Sequence, residues 1–262
     1  MAEHQIRFED GAAYERMMGV WSRLAGDIFL EWLAPPPGLR WIDVGCGSGA
    51  FSQLLFERCA PAEIRGVDPS EAQLAFARAR PAARLAQFHQ GDAMALPFAD
   101  NSADAAAMAL VIFFVPTPAS GVAEMARVVA PGGLVAAYSW DFLGGGFPME
   151  PIQAELRAMG LDPPLPPSVG ASRIAALREL WGGAGLDEVE TREIATTRTF
   201  ANFDEFWALS SASSALVAIL GSLAPADLAR LRSGVSARLP ADSAGRITCS
   251  ARANAVKGRV PR

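Results

Sequence analysis

Lysine is almost missing from this chain of 262 residues: Lys257 is the only one. A surface that neutralises phosphates needs clustered Lys and Arg. Here the net charge is −5, the sequence pI is near 5.2 and the arginines are scattered, so no nucleic-acid partner is expected. Histidine is scarce too, with only His4 and His89, which leaves no obvious imidazole base. Three cysteines, Cys46, Cys59 and Cys249, form no convincing disulfide framework and lack metal-ligand spacing. They point to a reducing compartment, with the cytoplasm as the expected location and no metal as the expected chemistry. The longest apolar run, 105–115, is too short to span a bilayer. The first residues carry Glu3, Arg7, Glu9 and Asp10 with no apolar run, so no signal peptide is expected.

What is present is a sharp strand-to-helix signal at Arg40-Trp41-Ile42-Asp43-Val44-Gly45-Cys46-Gly47-Ser48-Gly49-Ala50-Phe51. Trp41, Ile42 and Val44 favour a strand. Gly45, Gly47 and Gly49 alternate through the turn, where the backbone must bend or approach a ligand. Apolar residues then recur at helical spacing at Ala50, Phe51, Leu54 and Leu55. Such a turn is expected to bring backbone N–H groups and a helix N-terminus close to a bound nucleotide.

About half of the residues are apolar, enough for a substantial core. A helix with one buried face is predicted over 14–32, from Tyr14, Met17, Met18, Trp21, Leu24, Ile28 and Trp32. Strands are predicted near 40–44, 63–67, 84–89, 105–115 (with the loop above it) and 134–140. Helices fall between them, including 71–80 with Ser70 as N-cap and 119–129 ending at Pro131-Gly132-Gly133. This alternation predicts an α/β, Rossmann-like, doubly wound and mostly parallel sheet with helices on both faces. After Asp141 the pattern changes. Gly144-Gly145-Gly146 and Pro163-Pro164-Leu165-Pro166-Pro167 frame a short helix at 152–159, read as a lid insertion. The proline segment also fits PxxP, but a stiff lid linker is the preferred reading. Further helices are predicted at 172–184, 203–220 and 225–239, with strands at 189–200 and 247–256. The expected divisions are 1–38 (opening helix), 39–140 (core), 141–171 (lid) and 172–262, with a helical insertion at about 201–243.

The glycines read GxGxG rather than the GxGxxG of dinucleotide enzymes, with Asp68 about twenty residues on. Those two features alone do not separate NAD from other nucleosides. Asp43, two residues before the first glycine, suits a positively charged ligand and suits a pyrophosphate poorly. Further along come Gly66-Val67-Asp68-Pro69-Ser70, Gly91-Asp92-Ala93 with Leu96-Pro97-Phe98, Ser102-Ala103-Asp104, and Arg127-Val128-Val129-Ala130-Pro131-Gly132-Gly133. In register, these resemble the class I S-adenosylmethionine-dependent methyltransferases, especially small-molecule enzymes of the ubiquinone and menaquinone pathways, over roughly 14–140.

The resemblance implies S-adenosylmethionine (AdoMet) as cofactor and S-adenosylhomocysteine as product. It implies a seven-stranded sheet whose 247–256 strand lies antiparallel beside 134–140. Gly45, Cys46 and Gly47 would meet the methionine and ribose parts, and Asp68 would accept from both ribose hydroxyls. Pro69 would pack on the adenine, Asp92 and Ala93 would bond its edge, and Asp43 would face the methionine ammonium. Leu110 and Val111 would offer a backbone carbonyl to that ammonium. Tyr14, Trp21 or Arg23 on the opening helix would cover the cofactor and meet its carboxylate. Plainer readings stand beside these: Asp68 as a helix-capping acid, Asp92 as a turn acid, Asp141 as a loop acid, Asp104 as structural, and Tyr14 and Trp21 as core.

Methyl transfer from a sulfonium needs mainly an aligned nucleophile. Where many relatives carry a His after the fourth strand, this chain has Phe113-Phe114-Val115-Pro116. The expected acceptor is therefore a small, largely apolar molecule among Phe113, Phe114, Trp140, Phe142, Phe147, Phe203 and Trp207, with Asp141 as the candidate base. A monomer or homodimer is expected. A non-catalytic AdoMet-binding regulator and an NAD-linked oxidoreductase remain as alternatives.

Overall fold

The computed structural model describes residues 18–262. Helix α1 (Val20–Leu33) leads into β1 (Arg40–Val44), α2 (Ala50–Arg58), β2 (Glu63–Asp68), α3 (Glu71–Arg78), β3 (Ala86–Gln90), β4 (Ala103–Ala109), α4 (Pro118–Val128) and β5 (Val129–Trp140). Then follow α5 (Glu150–Ala158), α6 (Ile174–Gly183), β6 (Asp187–Phe200), α7 (Phe203–Ser211), α8 (Ser214–Ser222), α9 (Pro225–Arg238) and β7 (Ile247–Arg259). All seven strands form one sheet in the order β3-β2-β1-β4-β5-β7-β6. Strands β1 to β5 are parallel, and β7 runs antiparallel to both β5 and β6. The strand order reverses between β1 and β4, and the crevice at such a switch point is where open α/β sheets bind ligands.

Alternation along the strands builds two cores. Trp41 of β1 and Tyr138 of β5 face Phe29, Leu54, Leu55 and Leu74 of α1, α2 and α3. Ile42 and Val44 face the other way, toward Val122 and Met125 of α4 and Leu177 and Trp181 of α6. The Trp181 indole N–H donates to the Val135 carbonyl at 2.9 Å, so even this fully buried ring is satisfied. Edge strand β6 carries Glu188, Glu190, Arg192 and Glu193, charges that discourage pairing with another sheet. The first core continues into a cap, where Phe206, Leu216, Leu231 and Val235 of α7, α8 and α9 join Trp140, Phe142, Phe147 and Ile152.

Two expectations about boundaries are corrected. Pro131-Gly132-Gly133 does not separate α4 from the next strand, because β5 already begins at Val129. The register with β4 slips between Ala103 and Ala105, and Gly132 N–H donates instead to Val260 O at 2.8 Å. Proline has no N–H for the ladder, so the strand bulges there. The helix expected over 203–220 is two helices. It breaks at Ala212 and Ser213, where Ser213 is extended (ψ 133°) in a serine-rich stretch that competes with helical bonding. Among the described residues no single helix is long and apolar enough to cross a bilayer; Phe203–Ser211 and Leu216–Ser222 reach that length only as a pair bent by 103°.

Candidate cofactor and acceptor site

The β1–α2 turn has left-handed backbone at Gly45, Gly47 and Gly49 (φ 73°, 51° and 76°). Its N–H groups do not point outward as expected. Gly45 N and Cys46 N both donate to Val67 O (2.7 and 2.9 Å), Gly47 N donates to Asp68 Oδ2 (2.9 Å) and Gly49 N to Cys46 O (2.8 Å). The turn satisfies itself and binds β1 to β2, leaving carboxylates and open surface for a ligand. A Cβ on Gly47 would meet nothing within 4 Å, so the space above it is clear.

Asp43 is fully buried on β1. Ser52, one turn into α2, donates to its Oδ2 at 2.6 Å, while Oδ1 has no partner among the described residues. Burial pushes the Asp43 pKa up from 3.8 to about 7; the Ser52 bond opposes this and the charge of Asp68 adds to it. A buried carboxylate oxygen without a donor is costly unless something cationic meets it. Burial, with Asp43 and Asp68 nearby, pushes the Cys46 thiol far up, so it is a neutral packing group and no nucleophile. Asp68, at the end of β2, accepts one backbone bond per oxygen: Gly47 N on Oδ2 and Ser70 N on Oδ1, both 2.9 Å. Its partial burial raises its pKa against those bonds. Each oxygen keeps a further lone pair for a hydroxyl donor.

Ser70 caps α3 as expected, accepting from Gln73 N at 3.3 Å. Asp92 is exposed and holds its own turn by accepting from Met94 N (2.8 Å) through Oδ1. Pro69 is exposed at the neighbouring loop and Ala93 is half-buried. Above β4, Leu110 has a left-handed backbone (φ 63°) although it is not glycine, and strain of this kind concentrates at functional sites. Val111 O accepts from Phe114 N at 2.7 Å, whereas Leu110 O has no hydrogen bond among the described residues. Of the two, Leu110 thus has the carbonyl to offer.

The opening helix departs from expectation. Tyr14 lies outside the described residues. Trp21 is 2% exposed and packed in the core rather than laid open as a cover. Arg23 does not reach toward the turn; its guanidinium pairs with Glu57 at 2.7 Å and lies near Asp27.

On the acceptor side, Phe142 stacks on Phe147 (centroids 4.5 Å apart, 27°), and Phe113 meets Phe142 edge-on at 5.0 Å and Phe114 at 4.6 Å. Trp140 is buried in the same cluster, and its indole N–H has no partner among the described residues. The proline segment ends at Ser168, whose N–H donates to Phe113 O (3.0 Å) and whose hydroxyl donates to Val115 O (2.8 Å), tying the lid to this wall. Trp207 packs half-buried against the same apolar cluster, but its ring contacts are with Phe203 (6.1 Å) and the Arg232 guanidinium (5.8 Å) rather than with these phenylalanines. Asp141 is also corrected. Arg252 donates to its Oδ2 through Nε (3.0 Å) and Nη2 (2.5 Å), and Gly144 N donates to Oδ1 (3.0 Å). A carboxylate held this way clamps the 141–146 loop, with both oxygens already engaged. Sequence reasoning missed Arg252, and missed Ser52 although a serine at the start of a helix below an acid is a readable signal. Among the described residues, no group of three His, Cys, Asp or Glu side chains is placed to hold a metal.

Sheet order and glycine turn make this an α/β, Rossmann-like fold of the kind seen in methyltransferases. Residues 42–137 match the methyltransferase domain family, and this part of the chain is similar to class I AdoMet-dependent methyltransferases. The demethylmenaquinone methyltransferase of Desulfitobacterium hafniense (strain Y51) is 39% identical over 106 residues, 38% of this chain and 42% of that protein. The ubiquinone/menaquinone biosynthesis C-methyltransferase UbiE of Cereibacter sphaeroides (strain ATCC 17029 / ATH 2.4.9) is 38% identical over 121 residues, 45% of this chain and 48% of that protein. The chain thus matches less than half the length of these relatives. Phosphoethanolamine N-methyltransferase 2 of Haemonchus contortus, solved with S-adenosyl-L-methionine, shares the fold with a TM-score of 0.57 at 18% identity, over 95% of this chain and 56% of that one.

Proposed function

We propose that this chain binds AdoMet across the C-terminal ends of β1, β2 and β4 and catalyses methyl transfer to a small, mostly apolar acceptor. The observation that carries this is Asp43: a fully buried carboxylate with one orphan oxygen, next to the open surface over Gly47 and the half-satisfied Asp68. That arrangement fits a ligand with a primary ammonium and a vicinal diol; AdoMet has both, whereas NAD has ribose diols but no ammonium. Asp43 and Leu110 O would hold the ammonium, Asp68 the ribose hydroxyls, and Pro69, Asp92 and Ala93 the adenine.

When bound, AdoMet supplies an activated sulfonium methyl group. The protein's part is to align the acceptor and keep water out, and alignment of this kind is worth roughly 7–11 kcal/mol. Phe113, Phe114, Phe142, Phe147 and Trp140 form an aromatic wall that favours a flat, apolar acceptor and tolerates the sulfonium charge. With Asp141 taken by Arg252, positioning rather than base catalysis supplies most of the rate. The relatives' names point to a quinone-type ring, which the aromatic wall suits. The family match ends at residue 137, before Phe142 and Phe147, so the acceptor rests on this chain's own side chains.

The deciding experiment is thermal unfolding with AdoMet, S-adenosylhomocysteine and NAD, followed by transfer of a labelled methyl group to small aromatic acceptors. A ligand at about a hundred times its Kd stabilises by about 2.7 kcal/mol. Stabilisation by the first two ligands, lost in Asp68→Ala, supports the reading. Stabilisation by NAD alone overturns it, and binding without turnover on any acceptor leaves the non-catalytic regulator.

A further inference from the structure

We propose that the corner between the end of β5, the middle of β7 and β6, and the start of α6 is a second binding site, for a small zwitterion of amino-acid size. It is distinct from the cofactor loops on β1, β2 and β4. Only its effect on the aromatic wall rests on the proposed methyl transfer; the binding itself does not.

The corner holds a depression of about 260 Å³. Its floor is Asn254 of β7, 3% exposed and paired in register with Ser139 of β5 and Glu193 of β6. Asn254 Nδ2 donates to Ser172 O at 2.8 Å, which settles which end of the amide is oxygen. That oxygen, Oδ1, is buried and has no partner among the described residues. Buried acceptors are nearly always satisfied, so this one calls for a donor. Helix α6 starts at the same place: Ile174, its first residue, lines the depression, and no side chain caps its N-terminus. Arg173 and Glu193 also line it. Both are exposed, and neither side chain makes a hydrogen bond or ion pair among the described residues, although Glu193 lies close enough to Arg252 to feel its charge.

These groups sort by sign. Arg173 and the uncapped helix start favour a carboxylate. Glu193 and the Asn254 oxygen favour an ammonium, which has donors for both. A ligand of one charge would meet a like charge among these lining groups; a zwitterion matches both. Leu143 and Ile174 offer apolar contact for a short side chain. The space is several times the roughly 30 Å³ of one water. Asp141 and Gly144 line it as well, so an occupant rests on the clamp that seats Phe142 and Phe147.

The test is calorimetric titration of the full chain with L-leucine in the presence of S-adenosylhomocysteine, with acetate and methylammonium as the two half-ligands. The expected result is saturable binding of L-leucine, weakened about tenfold by Arg173→Gln or Glu193→Gln, with each half-ligand at least about tenfold weaker. Asp68→Ala should abolish S-adenosylhomocysteine binding and leave L-leucine binding intact, so failure of the cofactor reading is told apart from failure here. No saturable binding, unchanged affinity in both charge variants, acetate binding as well as L-leucine, or a crystal grown with L-leucine showing only a water at Asn254 Oδ1 would each overturn the proposal.

Discussion

Val111 closes over Gly45: a Cβ built on that glycine would lie 2.4 Å from Val111 Cγ1. The loop above β4 and the turn above β1 are thereby pressed together at the switch point of the sheet, and Gly45 is required twice over, by its φ of 73° and by this contact. Gly45→Ala should lose AdoMet binding and lower Tm. Adding Val111→Ala should recover the part of the stability due to the clash and leave the left-handed backbone cost, about 1–2 kcal/mol. Thermal unfolding of the single and double variants measures both parts.

Asp68 links the two turns as well as facing the proposed ribose. Asp68→Ala frees Gly47 N and Ser70 N, so a fall in Tm is expected even without ligand. Hydrogen bonds to a charged group are worth about 1.5–3 kcal/mol each, so losing two ribose contacts should weaken AdoMet by at least about a hundredfold. Asp68→Asn, which keeps the shape, should fall between. Titration calorimetry on both variants decides.

Asp43 gives the protein a pH signature. Its folded pKa lies above the unfolded value, so between about 4 and about 7 the folded chain holds a proton that the unfolded chain has released. The contribution of Asp43 to stability therefore falls as pH rises through that window. An ammonium beside Oδ1 favours the carboxylate, so AdoMet binding should expel the proton and tighten as pH rises toward about 7, then level off. Asp43→Asn should flatten the affinity profile and weaken it throughout. Calorimetry in buffers of different ionisation enthalpy reads the released proton directly.

Arg252 and Asp141 form a clamp rather than catalytic machinery. Arg252 is 39% exposed at its side chain, so the pair is partly screened. Asp141→Ala should cost about 1–2 kcal/mol in stability. With the loop loosened, KM for the acceptor should rise more than kcat falls. A loss confined to kcat, with stability unchanged, would return Asp141 to the chemistry.

The parallel core and the acids at its strand ends were legible because they rest on local signals: alternating elements, glycine spacing and a serine cap at residue 70. The antiparallel β7 and the Leu110–Val111 corner came from family resemblance, since no local periodicity reports strand direction. What stayed hidden were partners distant in sequence. Nothing near Arg23 says that it will find Glu57, and nothing near Asp141 announces Arg252 on a strand 111 residues away. The N–H groups of the glycine turn misled for a related reason: φ preference is written in the glycines, but their hydrogen-bond acceptors, Val67 O and Asp68, sit on the next strand.

Phe200 and Ile247 face each other across the last rung between β6 and β7. The chain leaves the sheet and rejoins it at a single point, so the whole cap of α7, α8 and α9 is, in topological terms, one elaborated hairpin loop. Such a segment can lengthen, shrink or be exchanged without reordering a strand or disturbing the glycine turn, which lies four strands away. The cap is thus free to change at a rate of its own while the sheet and its turn are held fixed.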